Sequence, residues 1–152
     1  MVLYSCLIIL TLWSGAKTIN YAMDMMFYKD YLLSWRQAIE ACSVEKGTWP
    51  EYTESMLVLY MDKVTDMMKS TSVGLPDSNS PDAYIYILKK INKPEQKIFM
   101  LCFADKLILY GIREETLRRI DRFIDAKSDL NAGAFRAKAA SDGITFIGYW
   151  KI

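Results

Sequence analysis

Residues 19–50 read INYAMDMMFYKDYLLSWRQAIEACSVEKGTWP, and this stretch decides the fold. No Gly or Pro interrupts it before Gly47. Phe27, Tyr31, Trp35, Ala38 and Cys42 follow one another at steps of 4, 4, 3 and 4, which is one face of an α-helix. Tyr28, Leu32 and Ile39 widen that stripe, while Lys29, Asp30, Arg36, Gln37 and Glu40 fall largely outside it. Gly47 can take the left-handed conformation that ends a helix, and Pro50 prevents its continuation. An aromatic stripe at this spacing reads as a packing face for the rest of the chain rather than as a cofactor site.

Upstream, residues 1–16 (MVLYSCLIILTLWSGA) carry no charged side chain; the first charge is Lys17. The apolar run from Val2 to Trp13 is too short to span a bilayer alone, which takes roughly 20 residues. Three readings stand. Ser14-Gly15-Ala16 resembles the small-residue cleavage box of a secretory signal. Alternatively, the run is a membrane anchor that continues as one helix through Ile19, Ala22, Met23, Met25, Met26 and Phe27. The third reading is a buried N-terminal helix of a soluble protein. Joined to the stripe, the leader predicts a single apolar-to-amphipathic helix of up to about 45 residues, far longer than an ordinary globular helix. The division expected is therefore a long helix over 1–46 and a globular α+β head over 47–152.

Downstream, residues 51–70 predict a second helix, with Leu57, Tyr60, Met61, Val64 and Met68 on one face and Thr53-Glu54 at its start. Residues 71–82 (TSVGLPDSNSPD) are a loop by composition. Then the period changes. Residues 83–88 are rich in β-branched and aromatic side chains, and 97–103 and 106–110 are short apolar runs, separated by Ala104-Asp105 in hairpin fashion and preceded by a turn at Asn92-Lys93-Pro94. Residues 114–126 predict a short helix with Leu117, Ile120, Phe123 and Ile124 facing inward. A loop follows to about Ala140, and the Asp142-Gly143 turn leads into a last strand over 144–150. The fold class is α+β: a long N-terminal helix packed on a small antiparallel sheet.

The 152 residues suit one compact unit, and 52% apolar residues suffice for a core. Nineteen basic against eighteen acidic side chains give a net charge of +1, without the basic excess of a nucleic-acid-binding domain. The absence of histidine excludes Ser-His-Asp and Cys-His catalysis, imidazole metal ligation and an imidazole pH switch. Three cysteines, with no CxxC, exclude a four-thiolate zinc or iron–sulfur site within one chain. In an exported protein Cys42 and Cys102 are the pair to expect, because Cys6 lies in the leader. In a reducing compartment all three are small core residues.

Chemistry is sparse. The densest acidic cluster is Glu114, Glu115, Asp121, Asp125 and Asp129. Asp121 and Asp125, at i and i+4, could hold calcium with oxygens from Asp129 or Asn131. A solvated face balanced by Arg118, Arg119 and Arg122 is the reading preferred, so no metal, cofactor or catalytic residue is assigned. No phosphate-cradling GxxxxGK[ST] or GxGxxG loop and no GxSxG serine occurs. Lys89-Lys90 and Arg118-Arg119 are isolated basic pairs, too few for a nucleic-acid stripe. The inventory points to a structural or assembly role and not to an enzyme, with no small-molecule substrate inferred.

An apolar helix that becomes amphipathic, breaks at Lys46-Gly47-Thr48-Trp49-Pro50 and leads into a loop-rich β head resembles the type IV pilins and the pseudopilins of type II secretion. In those families a Gly-x-Trp-Pro-like segment often ends the long helix. Ile120-Asp121, Ile124-Asp125, then Gly133 and Arg136 resemble the Ile-Asp-x-x-Ile-Asp and Gly-x-x-Arg pattern of minor pilins. The basic leader and the glutamate near the mature N-terminus of pilins have no counterpart, so the resemblance implies a chain that starts inside the pilin helix. It also implies a non-enzymatic subunit of the inner membrane, with other pilin-like subunits as partners through the N-terminal helix and an exported head at the cell surface or in the periplasm. Its loops at 71–82 and 127–143 would face outward. The alternative is a secreted or periplasmic binding module cleaved after Ala16.

Overall fold

The computed structural model describes residues 2–152. Its N-terminal third is one continuous helix, Val2–Lys46, of 45 residues, roughly 68 Å long at 1.5 Å per residue. It consists of α1 (Val2–Met26), a π-helical segment (Phe27–Leu32) and α2 (Leu33–Lys46). The π segment inserts one extra residue per turn just where the stripe turns aromatic. Phe27 and Tyr31 stack there with ring centroids 5.7 Å apart. Gly47 ends the helix at φ 66°, as its place in the sequence predicts.

Five strands form one antiparallel sheet in the order β1-β2-β3-β5-β4. They are β1 (Ile85–Leu88), β2 (Gln96–Cys102), β3 (Lys106–Ile112), β4 (Phe135–Ala139) and β5 (Phe146–Lys151). The expected hairpin is β2–β3, with Met100 opposite Leu109 and Cys102 opposite Leu107. Two helices complete the head, α3 (Leu57–Lys69) and α4 (Glu114–Asp125). The architecture is thus α+β, a long helix laid across a small sheet.

The helix packs by the stripe read from the sequence. Phe27, Tyr31, Trp35, Ala38 and Cys42 are all buried. The rings of Phe27 and Tyr31 each lie 4.8 Å from the ring of Tyr86 on β1. On the other side Tyr28 meets Phe123 of α4 and Trp150 of β5. Gly148 is needed under this layer: a Cβ there would come within 2.9 Å of the Phe135 ring. Cys42 and Cys102 are free, buried thiols, whereas Cys6 is exposed, so the expectation of three core cysteines fits only two of them. Burial pushes both thiol pKa values up.

Three expectations are corrected. The second helix begins at Leu57, not at residue 51. The preceding residues instead bring Trp49 to donate its indole N–H to Tyr60 (2.9 Å) and place Tyr52 edge-on to the Tyr60 ring. Residues 135–139 are a strand where a loop was expected, so only part of 127–143 is an outward-facing loop. Phe135-Arg-Ala-Lys-Ala alternates, but Lys and Ala are weak strand formers, and the strand exists by pairing its whole length with β5 at the sheet edge. Finally, the N-terminal residues are not the buried helix of the third reading: Val2 to Leu10, Leu12, Trp13 and Ile19 are exposed.

Candidate functional site

The place where the helix leaves the head concentrates the chain's buried polar chemistry. Asp24 and Asn20 continue the buried stripe one and two turns toward the N-terminus, and both are buried. Asn20 clasps the backbone of Ile91 with two hydrogen bonds: Ile91 N–H donates to its Oδ1 (2.7 Å) and its amide donates to the Ile91 carbonyl (3.1 Å). Asp24, fully buried, meets the Lys90 ammonium at 2.8 Å and accepts from Arg119 Nη1 at 2.6 Å. Lys90 also donates to Thr116 Oγ1 (2.7 Å), which accepts in addition from the Gln96 side-chain amide (3.1 Å). Gln96 Oε1 in turn accepts from the Arg113 backbone N–H at the start of α4 (2.8 Å). One connected network therefore joins α1, the turn after β1, β2 and α4. A buried charge is tolerable only when paired and hydrogen-bonded in this way.

Beside the network an open cleft of about 330 Å³ lies between α1 and the Ile91–Lys93 turn. Trp13, Lys17 and Asn20 form its helix wall, and Asn92, Lys93, Glu115 and Arg119 its head wall. Asn92 holds φ 55°, the left-handed geometry asparagine tolerates in a turn. Lys17 sits 3.4 Å above the Trp13 ring. Glu115 pairs with both Arg119 (3.0 Å) and Lys93 (3.3 Å). Burial opposes ionisation of Glu115, but Lys90, Lys93 and Arg119 outweigh it and hold its pKa below the ordinary value.

The acidic cluster read from the sequence does not converge. Glu114 pairs with Arg118 at 2.7 Å on the exposed face of α4. Asp125 closes the chain locally, accepting from the Ala134 and Phe135 amides (3.1 and 2.8 Å). Gly133 permits that approach, since a Cβ there would collide with the Asp125 carboxylate. Asp129 folds onto the Asn131 amide at 3.1 Å. Asp121 is fully buried with no well-formed hydrogen bond to either oxygen. Its pKa is raised, first by burial and then by Asp125 and Asp129. Among the described residues no three Asp, Glu, Cys or His side chains come together to hold a metal ion.

The sequence reading missed Asn20, Asp24 and Lys90 as a unit. The signal was present on the helix side: Asn20 and Asp24 sit at i and i+4 in phase with Phe27 and Tyr31, two polar residues on a face otherwise destined for burial. Lys90 carried no such mark, since the lysine beside it, Lys89, is exposed and pairs with Glu95.

No protein-family model, curated protein or solved structure matches this chain. The class established is that of the fold: an α+β head carried on a long N-terminal helix that is long and apolar enough to cross a membrane by length and composition.

Proposed function

We propose that this chain is a non-enzymatic, pilin-like subunit, anchored in a membrane by the exposed part of α1 and assembling with other subunits through that helix. The observation that carries the reading is the division of one unbroken helix. Its C-terminal half is sealed into the head by aromatic side chains, while the apolar window at its N-terminal end has none of its residues buried. An apolar helix surface of this extent needs lipid or other helices to cover it. Residues 2–18 would reach roughly 25 Å, close to the ~30 Å hydrocarbon core.

Two details support packing in an apolar phase. Thr11 and Thr18 return their hydroxyls to the carbonyls of Leu7 and Ser14 (2.8 and 3.1 Å), so neither needs water. Thr11, Ser14, Gly15 and Thr18 line one shallow face, and nothing lies within 4 Å of the place a Gly15 Cβ would take. Small residues in this arrangement let two helices approach closely in a bilayer.

The test uses Cys6, the exposed thiol on this helix. Copper-phenanthroline oxidation of the full chain in native membranes should yield a disulfide-linked product that Cys6→Ser abolishes. A chain lacking residues 1–16 should be lost from the membrane fraction and from any assembly. Incorporation of that truncated chain into assemblies overturns the reading. A mature N-terminus at Lys17 would replace it with the secreted binding module.

A further inference from the structure

We propose that the cleft at the helix–head junction seats the headgroup of an anionic phospholipid. The proposal rests on the membrane-anchored reading and adds a ligand to it. Three cations, Lys17, Lys93 and Arg119, line the cleft against one carboxylate, Glu115, with the buried Asp24–Lys90 pair behind it. The junction thus carries an excess of two positive charges in a protein whose overall net charge is only +1. Asp24 is sealed away and already held by Lys90 and Arg119. Lys17 has no carboxylate partner among the described residues, and Lys93 is about half exposed.

Position selects the ligand. The cleft opens where the exposed apolar helix meets the polar head, which is the level of phosphate groups when that helix is in a bilayer. Tryptophan and lysine at this level are the ordinary anchors of a membrane–water interface. A single phosphodiester placed between Lys17 and Lys93 would meet two ammonium groups that Glu115 alone cannot neutralise. The choline of a zwitterionic lipid finds no equivalent seat, because Lys17 already covers the Trp13 ring face that a quaternary ammonium would use.

The experiment reads lipid identity at Trp13. The full chain is reconstituted in vesicles of phosphatidylcholine with a minority of phosphatidylglycerol, with bromine on the acyl chains of one lipid at a time. The Trp13 contribution to quenching is taken as the difference from Trp13→Phe. Per brominated molecule, phosphatidylglycerol should quench about fivefold more than phosphatidylcholine, the enrichment expected from one lysine–headgroup contact. Lys17→Gln with Lys93→Gln should bring the ratio close to unity, with circular dichroism confirming an intact head. Equal quenching in the unaltered chain overturns the lipid site and leaves the anchor standing. No quenching by either lipid overturns both. An excess that survives in the double variant overturns the site as assigned.

Discussion

The Lys90 ammonium lies 2.8 Å from the Asp24 carboxylate with both side chains sealed from water, although the residues are 66 positions apart in the chain. Two charges taken out of water at this separation hold a specific alignment of helix and sheet, because any slip leaves one of them unpaired. Arg119, a partly exposed residue of the cleft wall, reaches the same carboxylate from the cleft side.

Removal of Asp24 alone strands the Lys90 charge in the core. Asp24→Ala should destabilise the head by about 3–5 kcal/mol, measured by thermal or denaturant unfolding of the full chain in detergent followed through near-ultraviolet tyrosine and tryptophan signals. Asp24→Leu combined with Lys90→Met should recover most of that loss, because an apolar pair of similar size leaves no buried charge. A loss for Asp24→Ala below about 1 kcal/mol, the range of an exposed ion pair, would show that water reaches the pair.

Gly111 sits at φ 79° at the irregular register between β3 and β5, and a Cβ there would come within 2.6 Å of the Lys97 carbonyl oxygen. Gly111→Ala meets both a disfavoured left-handed backbone and a backbone collision. The expected destabilisation is at least about 2 kcal/mol. Gly143→Ala is the control: it shares the positive φ but finds open space, so its loss should be about 1 kcal/mol.

Asp121 should oppose folding at neutral pH. Its folded pKa is raised above the ordinary value of 3.8 by burial, Asp125 and Asp129. The folded state therefore favours the protonated acid; that contribution is full below the unfolded pKa and is lost as pH rises through the folded one. Asp121→Asn should raise the melting temperature at pH 7, and the gain should disappear on acidification toward pH 4. Comparison with the unaltered chain at each pH isolates the residue from Glu115, Glu45 and Asp142. Their pKa values are lowered, so they lose stabilisation on acidification instead.

The three thiols should separate by environment. In detergent, a membrane-permeant maleimide should modify Cys6 rapidly and leave Cys42 and Cys102 untouched until the head unfolds, when mass spectrometry should find three adducts. Burial raises the pKa of both core thiols, which lowers their thiolate fraction as well as their accessibility. Two adducts on the folded chain would show an opening of the core at α2 or β2.

Sequence pattern alone was enough for the elements whose signal is local. The step of the aromatic stripe defines a helix face whatever it packs against, and Gly47-Thr48-Trp49-Pro50 ends that helix by backbone geometry, so the long helix and its buried side could be read directly. The β2–β3 hairpin was legible for the same reason. Phe135–Ala139 was not, because its strand character comes from its partner β5 and not from its own residues. Residues 51–56 failed to become helix because Trp49 and Tyr52 pack under Tyr60, a contact no local propensity records.

The candidate site divides along the same line. Composition determined what chemistry was missing, histidine above all, and the uncharged run before Lys17 determined that an apolar helix would need covering. Only the tertiary structure decided that Asp24, Lys90 and Arg119 meet and that Lys17 and Lys93 face one cleft. Periodicity carries information over a few turns of one element. The pairing of charges 66 and 95 residues apart depends on how the sheet's edge turn and α4 are brought against the helix, which is settled by packing of the whole core.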